Sequence, residues 1–422
     1  MIKKHLFLIL AFLPLVSFAQ KKKNILFIGN SYTGVNNLPQ LFADVSASAG
    51  DTIQIMSFTP GGQTLMNHAA PGGAPMNEIA KGIYDVVVLQ EQSQLPSFPD
   101  QDVNEFYFPY VHVLDSAIKA ANKCSKTMLY MTWGRKNGDA MNCASWPPVC
   151  TYLGMDSLLR KRTLEASTQN QCDVSPVGAA WRYSIKHYPW INLYQPDESH
   201  PDPKGSYIAA CVFYTSIFKK DPSNIKYNFG IDPLLADTLR NIAKSSVFEH
   251  MDELHVGYSA PKAAFYHNFE KEGKFLFVNE STQTDSIVWH FGDGDTSHLN
   301  RLVHTYLQSG KYKVTLEAHN HCGEFDTASD SVFYDASTGL TLPHKFSQHF
   351  YPNPFSENKV QLLVSDAFVM NIYNRLGQAI QFTAVQCDDK IEIEFEEDLP
   401  KGTYYCLFEQ NGKHFAINIT KL

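Results

Sequence analysis

The chain opens on an apolar run, Leu6 to Val16, with Lys3 and Lys4 ahead of it and Ser17-Phe18-Ala19 behind it. The run is too short to span a bilayer, contains Pro14, and ends in small residues of the kind a signal peptidase cleaves. Residues 1–19 are expected to be an export signal, and no cysteine follows the run as a lipoprotein would require. Past that point the pattern alternates between two periods. Asn24 to Ile28 is a short, mostly apolar run stopped by Gly29. Leu38, Leu41, Phe42, Val45 and Ala49 then recur at helical spacing until Gly50. Tyr84–Leu89 and Thr127–Thr132 repeat the strand pattern; Val111–Ala121, Leu158–Ala166 and Tyr207–Phe218 repeat the helical one. Continuous apolar strands alternating with helices predict, over residues 20–258, an α/β domain whose parallel sheet is covered on both faces.

From residue 262 to 335 the runs become short and β-rich, as in Phe275–Val278, Ile287–Phe291 and Tyr312–Ala318, and Gly-Asp-Gly and Ser-Gly turns separate them. This texture predicts a small β-sandwich. Residues 336–348 read as a linker. Residues 349–422 are β-rich again, with runs at Val360–Val364, Val369–Tyr373, Ile391–Phe395 and Thr403–Phe408, and predict a second small all-β domain. A length of 422 residues suits this division.

Composition adds little to the picture until charge is considered. The net charge is -8, and no long basic run exists beyond Lys21–Lys23. Nucleic acid is therefore not an expected partner, because phosphate binding needs clustered Lys and Arg. Export permits disulfides. Of the 8 cysteines, Cys143 and Cys150 flank a turn-rich Ala-Ser-Trp-Pro-Pro-Val stretch and are the best candidates for a local bridge. No CxxC pair or His at ligand spacing supports zinc, and no metal or other cofactor is implied. Cys211 sits in an apolar helical pattern and reads as a buried thiol.

The candidate chemistry lies at the ends of strands. Gly29-Asn30-Ser31 follows the first strand, at the sheet edge where open α/β folds place their sites; Gly29 would let the chain turn sharply. Alone, Ser31 would read as a turn or capping serine. Asp197-Glu198-Ser199-His200 changes that reading, since Asp and His at this spacing, just before a helix, can pair carboxylate with imidazole. His200 would take the Ser31 proton and Asp197 would fix the His200 tautomer. Gly62 in Gly61-Gly62-Gln63-Thr64 could offer a backbone N–H to an oxyanion. Gln92 in Gln90-Glu91-Gln92-Ser93 could offer its amide, or be a plain polar loop residue. Trp133, Arg135 and Glu91 are candidate substrate contacts; Arg135 reads slightly better as the partner of an acid such as Glu91. Phe106, Tyr107, Phe108 and Tyr110 suit a pocket lining or helix packing equally. Two near-motifs fail. Gly257-Tyr258-Ser259-Ala260-Pro261 lacks the last glycine of a nucleophile elbow, and Asp293-Gly294-Asp295 lacks the later ligands of an EF-hand loop.

In this order, Gly29-Asn30-Ser31, Gly62, Gln92 and Asp197-x-x-His200 resemble the four blocks of SGNH (GDSL-like) hydrolases over roughly residues 24–220. That resemblance implies a flavodoxin-like three-layer α/β/α fold and ester hydrolysis through an acyl-enzyme. It also implies an oxyanion hole built from the Ser31 and Gly62 N–H groups and the Gln92 amide. The third block departs from the usual Gly-x-Asn-Asp, Gln92 standing for the Asn with one more methylene. Trp289-His290-Phe291-Gly292-Asp293-Gly294, with His304-Thr305-Tyr306 and Gly310-Lys311-Tyr312, resembles a PKD domain. Such domains are spacers or contacts for polysaccharide and protein. Tyr351-Pro352-Asn353-Pro354 and Gly402-Thr403-Tyr404-Tyr405 resemble a type IX secretion sorting domain, implying the machinery of that pathway as a partner and a secreted or surface-attached product. The expected activity is a secreted esterase on an acylated small molecule or polysaccharide. The rivals are a surface glycan-binding protein with a degenerate hydrolase domain, and a lipase or thioesterase.

Overall fold

The computed structural model describes residues 22–421 except 272, 335–349, 352–354, 356, 363–366, 376–377, 388–389 and 411–412. The expected export signal and linker lie outside the described residues. Contacts divide the chain into two units, residues 1–259 and 260–422.

The first unit is an α/β/α layer structure. Its sheet contains β1 (Lys23–Ile28), β2 (Ile53–Phe58), β3 (Val86–Leu89), β4 (Lys126–Tyr130) and β5 (Asp173–Ser175), in the order β2-β1-β3-β4-β5. Every pairing is parallel. This is the flavodoxin-like doubly wound order, with its switch point between β1 and β3. Strand residues alternate between two cores. Ile25, Phe27, Val86, Val88, Met128 and Tyr130 pack with α2 (Leu38–Ser48), α8 (Val177–His187), α9 (Pro203–Phe218) and α10 (Pro233–Ser246). Leu26, Ile28, Val87, Leu89, Leu129 and Val174 face the other way. They pack with α5 (Asp100–Phe106), α6 (Phe108–Ala121) and α7 (Tyr152–Asn170). With both faces covered, the central strands need no polar side, which is why they are continuously apolar.

The structure adds the short helices α3 (Leu65–His68) and α4 (Ala74–Ile79), together with α5, β5, α8 and α10, to the expected elements. β5 is three residues long and holds one apolar residue, Val174, so it carries no periodic signal. Residues 106–110 resolve as helix packing: Tyr107 and Phe108 are buried in the second core, and Phe106 and Tyr110 lie against it. Cys143 and Cys150 form the expected disulfide, with Cα atoms 4.6 Å apart, and Cys211 is a buried free thiol.

The second unit holds two antiparallel sandwiches. Residues 265–334 form a three-stranded and a four-stranded sheet around Phe277, Trp289, Phe291 and Leu316. The strands from Phe350 to Lys421 form two four-stranded sheets around Leu362, Ile372, Cys406 and Phe408.

Candidate active site

The chain leaves β1 through Gly29 and Asn30 and enters a one-turn helix, α1 (Ser31–Gly34), at Ser31. Asn30 is its N-cap, its side-chain oxygen accepting from the Tyr32 N–H at 3.1 Å. The Asn30 amide also donates to the Gln63 carbonyl at 2.9 Å, tying the serine turn to the Gly61-Gly62 loop. Ser31 thus stands at the carboxyl edge of the sheet beside the switch point.

His200 reaches Ser31 from 169 residues away. The Ser31 hydroxyl lies 2.8 Å from His200 Nε2, and His200 Nδ1 lies 2.5 Å from Asp197 Oδ2. A carboxylate only accepts, so Nδ1 carries the proton and Nε2 is left to accept from Ser31. Asp197 Oδ1 also accepts from the Ser199 and His200 N–H groups at 3.1 and 3.0 Å. Partial burial raises the Asp197 pKa, but the bonds from His200 and these two N–H groups outweigh it and hold the carboxyl below its ordinary range.

The loop carrying the pair is braced on several sides. Glu198 takes a left-handed φ of 59° and lets the turn close. Gln195 N–H donates to the His200 carbonyl at 2.8 Å, and Asn36 reaches from the serine side to the Pro201 carbonyl at 3.1 Å. Behind the imidazole stands an aromatic stack: Tyr32 on Trp133 at 5.0 Å and Trp133 on Trp181 at 3.7 Å, near-parallel in both cases. Tyr32 meets His200 edge-on and bonds the Ser199 hydroxyl at 2.6 Å; Trp133 Nε1–H donates to the Ser199 carbonyl at 3.1 Å. Each such ring pair adds about 0.5–1.5 kcal/mol beyond its buried area.

Several expectations need correction here. Trp133 is 0% exposed and contacts the Asp197–His200 loop from inside, so it has no face for substrate. Glu91 is also buried, and its carboxylate accepts from the Leu65 and Gln92 N–H groups at 3.2 and 2.5 Å. Burial pushes its pKa up to about 8. Arg135 pairs with an acid as expected, but the acid is Asp139, at 3.1 Å, not Glu91. Asp139 also takes the Gln94 amide at 2.6 Å, which anchors the Arg135 loop to the third block. The turn at Gly29 has a different cause from the one expected. Its φ is not left-handed; an added Cβ there would lie 2.6 Å from Gln90 Oε1 and 2.7 Å from Thr33 Oγ1. Glycine is required by crowding.

Gln92 keeps the features of a donor. Its Oε1 accepts from the Gln94 and Leu95 N–H groups at 2.9 and 3.1 Å, which fixes which end of the amide is nitrogen. Nε2 gives one hydrogen to Gln94 Oε1 at 3.0 Å and retains a second. Gly62 is exposed, with φ 72° in the left-handed region that favours glycine.

Two residues near the serine turn escaped sequence reasoning. Gln90 Oε1 accepts from the Asn30 N–H at 2.9 Å and from the Thr33 hydroxyl at 2.8 Å. His68 Nε2 donates to the Gly29 carbonyl at 2.8 Å, and burial lowers its pKa against the effect of that bond. Gln90 had a weak signal in its place one residue past β3; His68, in a short helical turn, had none. In the first sandwich, Asp293, Asp295 and His304 gather their ligand atoms within 4.8 Å. His304 bonds Asp293 at 2.7 Å and stacks on Phe291, bracing the Gly-Asp-Gly turn.

Residues 260–334 match the family model described as PKD domain, and residues 349–420 match that described as secretion system C-terminal sorting domain. A microbial collagenase of Vibrio alginolyticus is 33% identical over 106 residues, 23% of this chain. The matched part spans 13% of the collagenase. A DUF4886 family protein from Bacteroides uniformis is similar in structure, with a TM-score of 0.46 at 18% identity over 53% of this chain and 94% of that one. A lipase from a goat rumen metagenome is similar at 12% identity over 45% of this chain and 95% of that one, with a TM-score of 0.28. The chain therefore carries a PKD-like domain and a type IX C-terminal sorting domain behind its α/β domain, and is exported to the cell surface or beyond.

Proposed function

We propose that the α/β domain is a serine ester hydrolase with Ser31 as nucleophile, His200 as general base and Asp197 as the group that orients it. The observation that carries this reading is the unbroken Ser31–His200–Asp197 hydrogen-bond chain at the carboxyl edge of the sheet. Ser31 Oγ attacks the ester carbonyl while its proton passes to His200 Nε2. The Asp197 carboxylate stabilises the imidazolium. The Ser31 and Gly62 N–H groups and the free hydrogen of the Gln92 amide would receive the oxyanion. Collapse of the tetrahedral intermediate expels the alcohol, protonated by His200, and leaves an acyl-Ser31. Water, activated by the same imidazole, then releases the acid.

Export and the PKD-like domain suit a substrate outside the cell, and an O-acylated, chiefly O-acetylated, polysaccharide is the substrate class we favour. The test is hydrolysis of an aryl acetate by the wild type and by Ser31→Ala, together with labelling by a serine-directed fluorophosphonate. The reading expects labelling at Ser31 and loss of turnover in the variant. Equal rates in the two proteins would overturn it. A series of esters of rising chain length separates an acetylesterase, whose rate falls with length, from a lipase or thioesterase.

A further inference from the structure

A cleft of about 260 Å³ opens between α7, α8 and the segment after α10, lined by Arg160, Arg182, Tyr183, Lys186, His250 and Glu253 among others. α8 begins at the carboxyl edge of the sheet, and its 11 residues put Lys186 and His187 about 15 Å further down. The cleft is thus separate from Ser31.

Its charges are incompletely matched. Arg182 is held by Asp156, a buried carboxylate on α7, and His250 faces Glu253 at 3.8 Å on the rim. Arg160, one turn beyond Asp156, has no hydrogen-bonded or ion-paired acceptor among the described residues, and neither has Lys186. Arg160, half-buried, and Lys186, exposed, thus flank Arg182 in the recess without a hydrogen-bonded acid, Asp156 and Glu253 acting on Arg160 only at a distance, in a chain whose net charge is -8. Burial, and after it the neighbouring Arg182, disfavours the charged form of Arg160 against the attraction of Asp156 and Glu253, and an anion beside the guanidinium would relieve this.

An aromatic shelf continues from the cleft. Tyr183 lies 4.4 Å from the His187 ring and 6.5 Å from Tyr188, which lies 6.4 Å from Trp190. Trp190 is 69% exposed. Trp190 is not alone on this surface: Tyr188, Tyr183 and His187 connect it ring by ring to the cationic recess. At about 260 Å³ the recess holds one small ring rather than a chain, and the shelf lies open for neighbouring units.

We propose that this cleft and shelf bind a uronate-containing polysaccharide. The Arg160 fork and Lys186 take the carboxylate of one sugar, and Tyr183 and Trp190 receive the C–H faces of its neighbours. A planar carboxylate fits the guanidinium fork in two parallel bonds, and aromatic faces select sugar rings over bare anions. The site stands whether or not Ser31 is a nucleophile.

The test is affinity electrophoresis of the full chain at 0.15 M salt through gels containing polygalacturonate, dextran sulfate or neutral dextran. The expected result is retardation by polygalacturonate and none by dextran. The double variant Arg160→Gln, Lys186→Gln should weaken retardation roughly tenfold or more, and Trp190→Ala should weaken it as well. Neither charged side chain has a described hydrogen bond or ion pair within 4.0 Å, and the pull of Asp156 and Glu253 on Arg160 acts across a partly exposed cleft, so the fold should survive; retained circular dichroism checks this. Absence of retardation overturns the proposal, as does retardation indifferent to the variants. Equal retardation by dextran sulfate that persists in Trp190→Ala would identify a general polyanion patch and overturn it too.

Discussion

Gly29→Ala would test whether crowding around the serine turn sets the position of Ser31. The new Cβ would sit 2.6 Å from Gln90 Oε1 and 2.7 Å from Thr33 Oγ1, where ordinary contact begins at 3.4 Å. The two oxygens must retreat by 3.4 − 2.6 = 0.8 and 3.4 − 2.7 = 0.7 Å. Gln90 Oε1 is also the acceptor for the Asn30 N–H at 2.9 Å and the Thr33 hydroxyl at 2.8 Å, so a retreat of that size stretches the buried bond that holds Asn30. Overpacking costs about 1–3 kcal/mol. A buried donor left unpaired costs about 1–3 kcal/mol more. A total of about 2–6 kcal/mol lowers the melting temperature by roughly 4–24 °C for a domain of this size. Asn30 precedes Ser31, and a displacement of about 1 Å at reacting atoms costs on the order of 10²-fold in rate. The assay pairs ester hydrolysis with thermal melting at 222 nm, a signal that reports the α/β domain because the described helices all lie there. A variant with wild-type kcat and melting temperature would refute the reasoning. Gly62→Ala is the contrasting case, since nothing lies within 4 Å of its added Cβ and only the left-handed φ opposes it; about 1–2 kcal/mol is expected there. Gln90→Ala removes the nearest of the obstructing atoms, leaving Thr33 Oγ1 and its own Cβ, so the double variant with Gly29→Ala should cost less than the sum of the singles.

Three further outcomes are expected. Glu91 has its pKa raised by burial from 4.5 to about 8, so its protonated form favours the fold: its contribution is whole below pH 4.5 and is lost as pH rises through 8. Relative to Glu91→Gln, the wild type should lose stability across that window by an amount on the order of 4 kcal/mol, read from urea midpoints at a series of pH values; parallel curves would refute it. Asp197→Asn should lower kcat by about 10²–10⁴-fold with little change in KM, because the amide favours the wrong His200 tautomer; an unchanged kcat would exclude Asp197 from orienting the base. Opening the Cys143–Cys150 bridge by Cys143→Ser with Cys150→Ser should cost about 2–3 kcal/mol for a loop of this length. The loss should reach the rate as well, since Asp139, whose N–H donates to the Val149 carbonyl inside the loop at 2.7 Å, holds Arg135 and Gln94, and an unchanged melting curve in the double variant would count against it.

Much of this protein is legible without coordinates. The apolar runs around Ile25–Ile28 and Val86–Leu89, the helical spacing after Leu38 and the two β-rich tails each carry a local period, and local periods report secondary structure directly. Ser31, Asp197 and His200 were legible because the signal is short-range: a Ser at a strand end and an Asp and His three residues apart. The structure then brought these two local signals within hydrogen-bond reach across 169 residues.

What only tertiary structure decided are contacts that leave no local trace. Gly29 is glycine because Thr33 in its own turn and Gln90, 61 residues away, fill the space a Cβ would take, and the nearer of the two atoms belongs to Gln90. Trp133 looked available to substrate until Tyr32 and Trp181 closed over both its faces. Arg135 chose Asp139 because that carboxylate lies four residues on, in a turn bonded to the disulfide loop through Val149 and Cys143, while Glu91 is turned inward to the Leu65 and Gln92 N–H groups. His68 supports the serine turn from a helical stub with no motif around it. Periodicity and turn chemistry are properties of neighbouring residues, whereas the occupancy of a space, and hence burial, pairing and orientation, depends on what the rest of the chain brings there.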